Sequence, residues 1–129
     1  MNIFVTRKLP SSVIARLEAV GNVEVFSGEQ SITPDQLRAA VAGKHALVTM
    51  LTERVDAALL EAGPDLKVVA NVAVGYNNID VAAAHARGVI CTNTPDVLTD
   101  SVADFTWALI LAITRRLSEG VRVVRRHEW

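Results

Sequence analysis

One cysteine in 129 residues leaves no partner for an intrachain disulfide. Cys91 sits in the apolar run "VICT", a setting that suits a reduced, cytoplasmic compartment. Charge of neither sign is in excess. Thirteen basic against fourteen acidic residues give a formal net charge of -1, so no global field recruits nucleic acid or an anionic membrane. Long apolar runs are missing as well: the longest, Trp107 to Ile113, falls far short of the ~20 residues that span a bilayer. The opening "MNIFVT" is too short for the apolar core of a secretory signal. The seven glycines never fall into G-x-G-x-x-G, and no G-x-x-x-x-G-K-[ST] exists, which excludes a nucleotide phosphate loop within these residues. His45, His85 and His127 are far apart, with no cysteine or carboxylate at metal-ligand spacing, so no metal site is expected.

What is present is alternation. The β-rich runs "NIFVT", "VEVFS", "ALVTML", "KVVANVAV" and "VICTN" read as strands, each followed by a helical pattern, the signature of a parallel sheet covered on both faces. Thr33, Pro34 and Gln36 spell a capping box with proline at the first helical position, and Ser101 with Asp104 spells a second. Gly21, Gly43, Gly63 with Pro64, and Gly88 fall where helices must turn back into strands. About five βα repeats in so short a chain predict a flavodoxin-like doubly wound sheet, strand order 2-1-3-4-5. From Ser101 the spacing of Val102, Phe105, Leu109, Ala112, Leu117, Val121 and Val124 predicts one long helix of about seven turns, against the usual three or four. Its first half, "WALILAI", is apolar all round and needs cover. The second half carries Arg115, Arg116, Arg122, Arg125 and Arg126, interrupted by Glu119 and Glu128. That is the pattern of a solvated or interface face, not of a nucleic-acid helix.

In such a sheet, ligands bind beyond the carboxyl ends of the strands. There "NVAVGYNNID" breaks from a strand into a turn at Gly75. A glycine exposes the amides of Gly75 and Tyr76, and consecutive backbone N–H donors suit a carboxylate. Asn77, Asn78 and Asp80 are expected to cap the helix "VAAAHARG". Two other families with this topology do not fit. A receiver domain needs an aspartate at the end of strand three, where this chain has Met50-Leu51, and a flavodoxin needs a phosphate loop in place of "TRKLP".

Taken together, "LKVVANVAVGYNNIDVAAAHARGVICTNTPDVLTDSVADFTWALILAITRR" closely resembles the D-isomer-specific 2-hydroxyacid dehydrogenases, in particular their glyoxylate and hydroxypyruvate reductase branch. The resemblance runs back through "LVTMLTERVDAALLEAGP" to the amino terminus. It implies a substrate-binding domain over residues 1–98, a long interdomain and dimerisation helix over 99–129, and a following Rossmann domain that binds NAD(H) or NADP(H). It also implies that Val74 and Gly75 offer amides to the substrate carboxylate, that Leu51 lines the pocket, and that Val102 lies near the nicotinamide. At Val102 the family commonly has a threonine, so a hydroxyl is missing.

The resemblance further implies that the dinucleotide fingerprint and the arginine, glutamate and histidine of the reaction belong to chain beyond these residues. No catalytic residue is therefore assigned. The expectation is the amino-terminal part of an NAD(P)-dependent reductase of 2-oxoacids, binding no cofactor and inactive alone, with weak affinity for a small carboxylate and a tendency to self-associate through the helix from Ser101. The alternative is a stand-alone binding, regulatory or assembly module with the same fold.

Overall fold

The computed structural model describes residues 1–128. The last residue of the expected long helix, Trp129, lies outside them. The described chain divides into two compact units, Met1–Pro95 and the segment from Asp96 onward.

The first unit alternates strand and helix: β1 (Asn2–Val5), α1 (Ser11–Glu18), β2 (Asn22–Val25), α2 (Pro34–Ala40), β3 (Ala46–Thr49), α3 (Ala57–Ala62), β4 (Val68–Asn71), α4 (Val81–Ala86) and β5 (Ile90–Thr92). All pairings are parallel and the order is β2-β1-β3-β4-β5, as expected from the alternation. Successive residues of a strand face opposite sides, which splits the core in two. Phe4, Leu47 and Val69 pack with Leu37, Leu59, Leu60 and Ala84 beneath α2, α3 and α4. Ile3, Val5, Ala46 and Val48 pack with Ile14 and Leu17 of α1. Cover within this unit is unequal, because α1 alone serves the second face and Ile90 remains 65% exposed.

Helix boundaries follow local chemistry. Thr33 and Gln36 form the reciprocal capping box, with Pro34 in the first turn. Gly63 ends α3, and Gly43 and Gly88 adopt left-handed φ values of 68° and 69°, a conformation in which a side chain costs energy. Each strand is shorter at its carboxyl end than its apolar run suggested. β4 stops at Asn71, so Val72 to Val74 belong to a loop.

The second unit holds α5 (Thr99–Thr114) and α6 (Leu117–Arg126). Two expectations are corrected here. Helix α5 begins at Thr99 after Leu98, with no side-chain cap, so Ser101 and Asp104 lie inside the helix and form no capping box. The continuous helical pattern is also interrupted: Arg116 takes φ 52°, a left-handed conformation that a helix cannot propagate through. The break is held locally, with Thr114 Oγ1 donating to Ile110 O at 2.8 Å and the Arg116 guanidinium clasping Glu119 at 2.7 and 2.6 Å. The apolar spacing persists across the break, which is why the sequence alone did not reveal it. Neither helix contains a buried residue.

Candidate active site at the carboxyl edge of the sheet

Among the described residues, four polar side chains are buried: Thr6, Thr49, Glu53 and Asn71. All four lie at the carboxyl edge of the sheet, where β1, β3 and β4 end. Burying a polar group is costly unless it is hydrogen-bonded, and here each is bonded to another or to a loop. Thr6 Oγ1 donates to Glu53 Oε2 at 2.8 Å, the Met50 amide donates to the same oxygen at 2.7 Å, and Thr52 Oγ1 donates to Oε1 at 2.6 Å. The Glu53 carboxylate thus ties the loop after β3 to the tip of β1.

The second tie is built of amides. Thr49 Oγ1 donates to Asn71 Oδ1 at 3.0 Å. Asn71 Nδ2 donates to Gly75 O at 2.9 Å and to Asn78 Oδ1 at 3.1 Å. Asn78 Nδ2 in turn reaches Met50 O at 3.1 Å and Glu53 O at 2.8 Å. The loops after β3 and β4 are therefore one bonded assembly. This corrects the expectation for the asparagines: only Asp80 caps α4, through the Ala83 amide at 2.9 Å, while Asn78 turns inward and joins the two loops.

Above this layer the residues singled out from the sequence are exposed, Leu51 at 49%, Val74 at 40% and Tyr76 at 58%. A methyl placed on Gly75 would sit 3.8 Å from Leu51 Cδ1 and 3.3 Å from Asn77 Oδ1, so Leu51 and Gly75 are neighbours although they come from different loops. The carbonyls of this loop are occupied, by the Thr94 amide on Ala73 O at 2.9 Å, Asn93 Nδ2 on Val74 O at 2.8 Å and Asn71 on Gly75 O. The amides of Val74, Gly75 and Tyr76 donate to no acceptor among the described residues. Consecutive free N–H groups beside satisfied carbonyls have the chemistry to bind an anion.

Beside it, a cleft of about 450 Å³ is lined by Leu51, Arg54, Asp56, Asn77 and Asp80 among others, and Arg54 leans toward Asp56 at 3.6 Å. The largest cavity, about 1110 Å³, lies elsewhere, between the tips of β1 and β2 along Arg7, Leu9, Ile14 and Phe26. The amides of Lys8, Leu9 and Ser27 to Ser31 along it also donate to no acceptor among the described residues, but no carbonyl of Ser27 to Ser31 is bonded there; held carbonyls and free amides occur together in the loop at Gly75. Val102 is in the second unit, on α5, 58% exposed. Among the described residues no group of three His, Cys, Asp or Glu could hold a metal ion, and no helix is long and apolar enough to cross a membrane.

Asn71, Asn78, Asn93 and Glu53 were not singled out from the sequence as site residues. One signal existed: asparagine is disfavoured in strands, and "VVAN" puts one at a buried alternation position.

A 2-1-3-4-5 parallel sheet with its ligand-competent loops on the carboxyl edge defines a flavodoxin-like doubly wound α/β domain. The chain belongs to the D-isomer specific 2-hydroxyacid dehydrogenase family, whose catalytic-domain profile it matches over residues 3–123. It is 49% identical over 127 residues to a glyoxylate reductase of Thermococcus kodakarensis, covering 98% of this chain and 38% of that protein. It therefore spans about two fifths of the length of such relatives. Among solved structures, the TT0316 protein of Thermus thermophilus aligns over all of this chain and 42% of its own, with TM-score 0.83 and 38% identity. A 2-hydroxyacid dehydrogenase of Ketogulonicigenium vulgare Y25 aligns over 99% of this chain and 40% of its own, with TM-score 0.80 and 31% identity.

Proposed function

We propose that this chain is the substrate-carboxylate half of an NAD(P)-dependent D-2-hydroxyacid dehydrogenase of the glyoxylate reductase type, the whole enzyme reducing a 2-oxoacid to a D-2-hydroxyacid. The observation that carries this reading is the loop at Gly75, whose carbonyls are bonded and whose consecutive amides are free. In it the amides of Val74, Gly75 and Tyr76 receive the carboxylate, and Leu51 contacts the carbon skeleton beside it. Without a side chain, Gly75 lets the anion approach the backbone.

Hydride transfer also needs a nicotinamide held against the carbonyl and an acid within reach of its oxygen. The residues present do not fit that group, because they include no G-x-G-x-x-G, and Val102, the single contact the family resemblance suggests, is an alkyl side chain. These 129 residues are therefore proposed to be catalytically silent alone, with NAD(H) or NADP(H) bound elsewhere in the complete enzyme. The amides by themselves leave most of a carboxylate's charge to water, so affinity is weak. Titration of the labelled chain with glyoxylate to millimolar concentration tests the reading. Saturating amide shifts confined to Val74, Gly75, Tyr76 and their neighbours are expected, and their absence would discard it.

The exposed apolar side chains of α5 support an accompanying proposal, self-association through residues 99–129.

A further inference from the structure

The loop between Asn71 and Asn78 is anchored by its carbonyls, and that anchoring decides where its amides point. No peptide bond among the described residues is cis, and in a planar trans peptide the C=O of one residue and the N–H of the next are antiparallel. Asn71 is 2% exposed and lies beneath the loop. Because its Nδ2 holds Gly75 O at 2.9 Å, that carbonyl points into the protein and the Tyr76 N–H points out. Asn93 follows β5. Its Nδ2 holds Val74 O at 2.8 Å, which turns that carbonyl toward β5 and the Gly75 N–H away from it, toward β3 and the loop carrying Leu51.

Asn71 itself cannot turn over without loss. Its Oδ1 accepts from Thr49 Oγ1 at 3.0 Å, whereas both protons of its Nδ2 are already committed, to Gly75 O and Asn78 Oδ1.

We propose that Asn71 and Asn93 are positioning residues, each fixing one peptide plane: Asn93 aims the Gly75 N–H and Asn71 aims the Tyr76 N–H, so that the two donors are presented to the substrate carboxylate before it arrives. This deepens the proposed carboxylate site and rests on that reading for its functional meaning. Donors set in advance need no reorganisation on binding. The division of labour is specific: each asparagine governs one amide.

The test uses the whole chain, labelled with nitrogen-15, as wild type and as Asn93→Ala and Asn71→Ser. Residual dipolar couplings report the N–H orientations without ligand, and a glyoxylate titration reports their use. Asn93→Ala is expected to reorient the Gly75 N–H and remove its glyoxylate-induced shift while leaving Tyr76 responsive. Asn71→Ser is expected to do the converse. A general loosening of the loop would move both amides together in either variant, and that result, or unchanged couplings in both, overturns the proposal. Should Asn71→Ser fail to fold, Asn93→Ala, at a half-buried position, decides alone through the contrast between Gly75 and Tyr76. A wild type silent toward glyoxylate, with couplings that change as described, would discard the carboxylate reading and retain the positioning role.

Discussion

The carbonyl of Gly75 is held from below by the side chain of Asn71, four residues earlier, at 2.9 Å. A strand-end asparagine thus reaches past the residues between and fixes the peptide of the turn that follows. The turn's shape is set by bonds to its backbone and not by the glycine itself, since Gly75 has no left-handed φ. Glycine is required there only if something must come close.

Gly75→Val separates these roles. The first added carbon would meet only Asn77 Oδ1 at 3.3 Å and Leu51 Cδ1 at 3.8 Å, so the stability cost is expected to stay below about 1 kcal/mol. Glyoxylate-induced amide shifts at Val74 to Tyr76 are expected to vanish. Urea denaturation and the same titration check the two halves, and equal shifts in wild type and variant would place the anion elsewhere.

Glu53→Ala addresses the tie between loops. It removes the acceptor of Thr6 Oγ1, the Met50 amide and Thr52 Oγ1 together, leaving the Thr6 donor buried. Bonds to a charged group contribute more than neutral ones, and stranded buried donors cost further, so a loss of roughly 2–4 kcal/mol is expected. A shift in unfolding free energy below about 0.5 kcal/mol would show that water replaces the carboxylate freely.

No NAD(P)H-dependent reduction of glyoxylate or hydroxypyruvate is expected from these 129 residues, for want of a dinucleotide fingerprint and of an assigned acid. Absorbance at the reduced-nicotinamide band, on material freed of host reductases, checks this. Turnover that survives purification would contradict it.

Self-association is expected through the second unit. Phe105, Trp107, Leu109, Ile110, Leu111 and Ile113 of α5 are each between 45% and 76% exposed, and every large apolar side chain left in water forgoes roughly 1.5–3 kcal/mol of burial. A second copy can supply that cover. Light scattering at micromolar concentration should report a dimer or higher oligomer, and Trp107→Glu should shift it toward monomer. A well-behaved monomeric wild type would refute the idea.

Cys91 offers a pH-dependent readout. Burial raises its thiol pKa above the ordinary value of 9.0, so the neutral thiol is favoured in the folded state. The thiolate is the nucleophile, and alkylation by iodoacetamide near pH 8 is expected to be slower in the folded chain than in urea. The linked stability is fully present below the unfolded-state pKa and falls as pH rises through the folded one. Equal alkylation rates in the two states would show that the thiol is not shielded.

The order of the sheet was legible in the sequence because it depends on local pattern: period-2 apolar runs make strands, helical runs between them force parallel crossovers, and Thr33, Gly63 and Gly88 mark where one gives way to the other. That the fourth strand gives way to a turn carrying Gly75 was legible for the same reason, since the run and its break are contiguous. The partnerships that hold that turn were not. Thr6 with Glu53, Asn78 with Met50, and Asn93 with Val74 are separated by 47, 28 and 19 residues, and a polar residue at a strand end reads alike whether it faces water or a buried partner. Only the packing of four strand tips side by side, those of β1, β3, β4 and β5, brought those groups within bonding distance. The break at Arg116 belongs to the same class: the apolar spacing runs on through it, whereas the backbone is turned by dihedral angles at one residue, which no periodicity records.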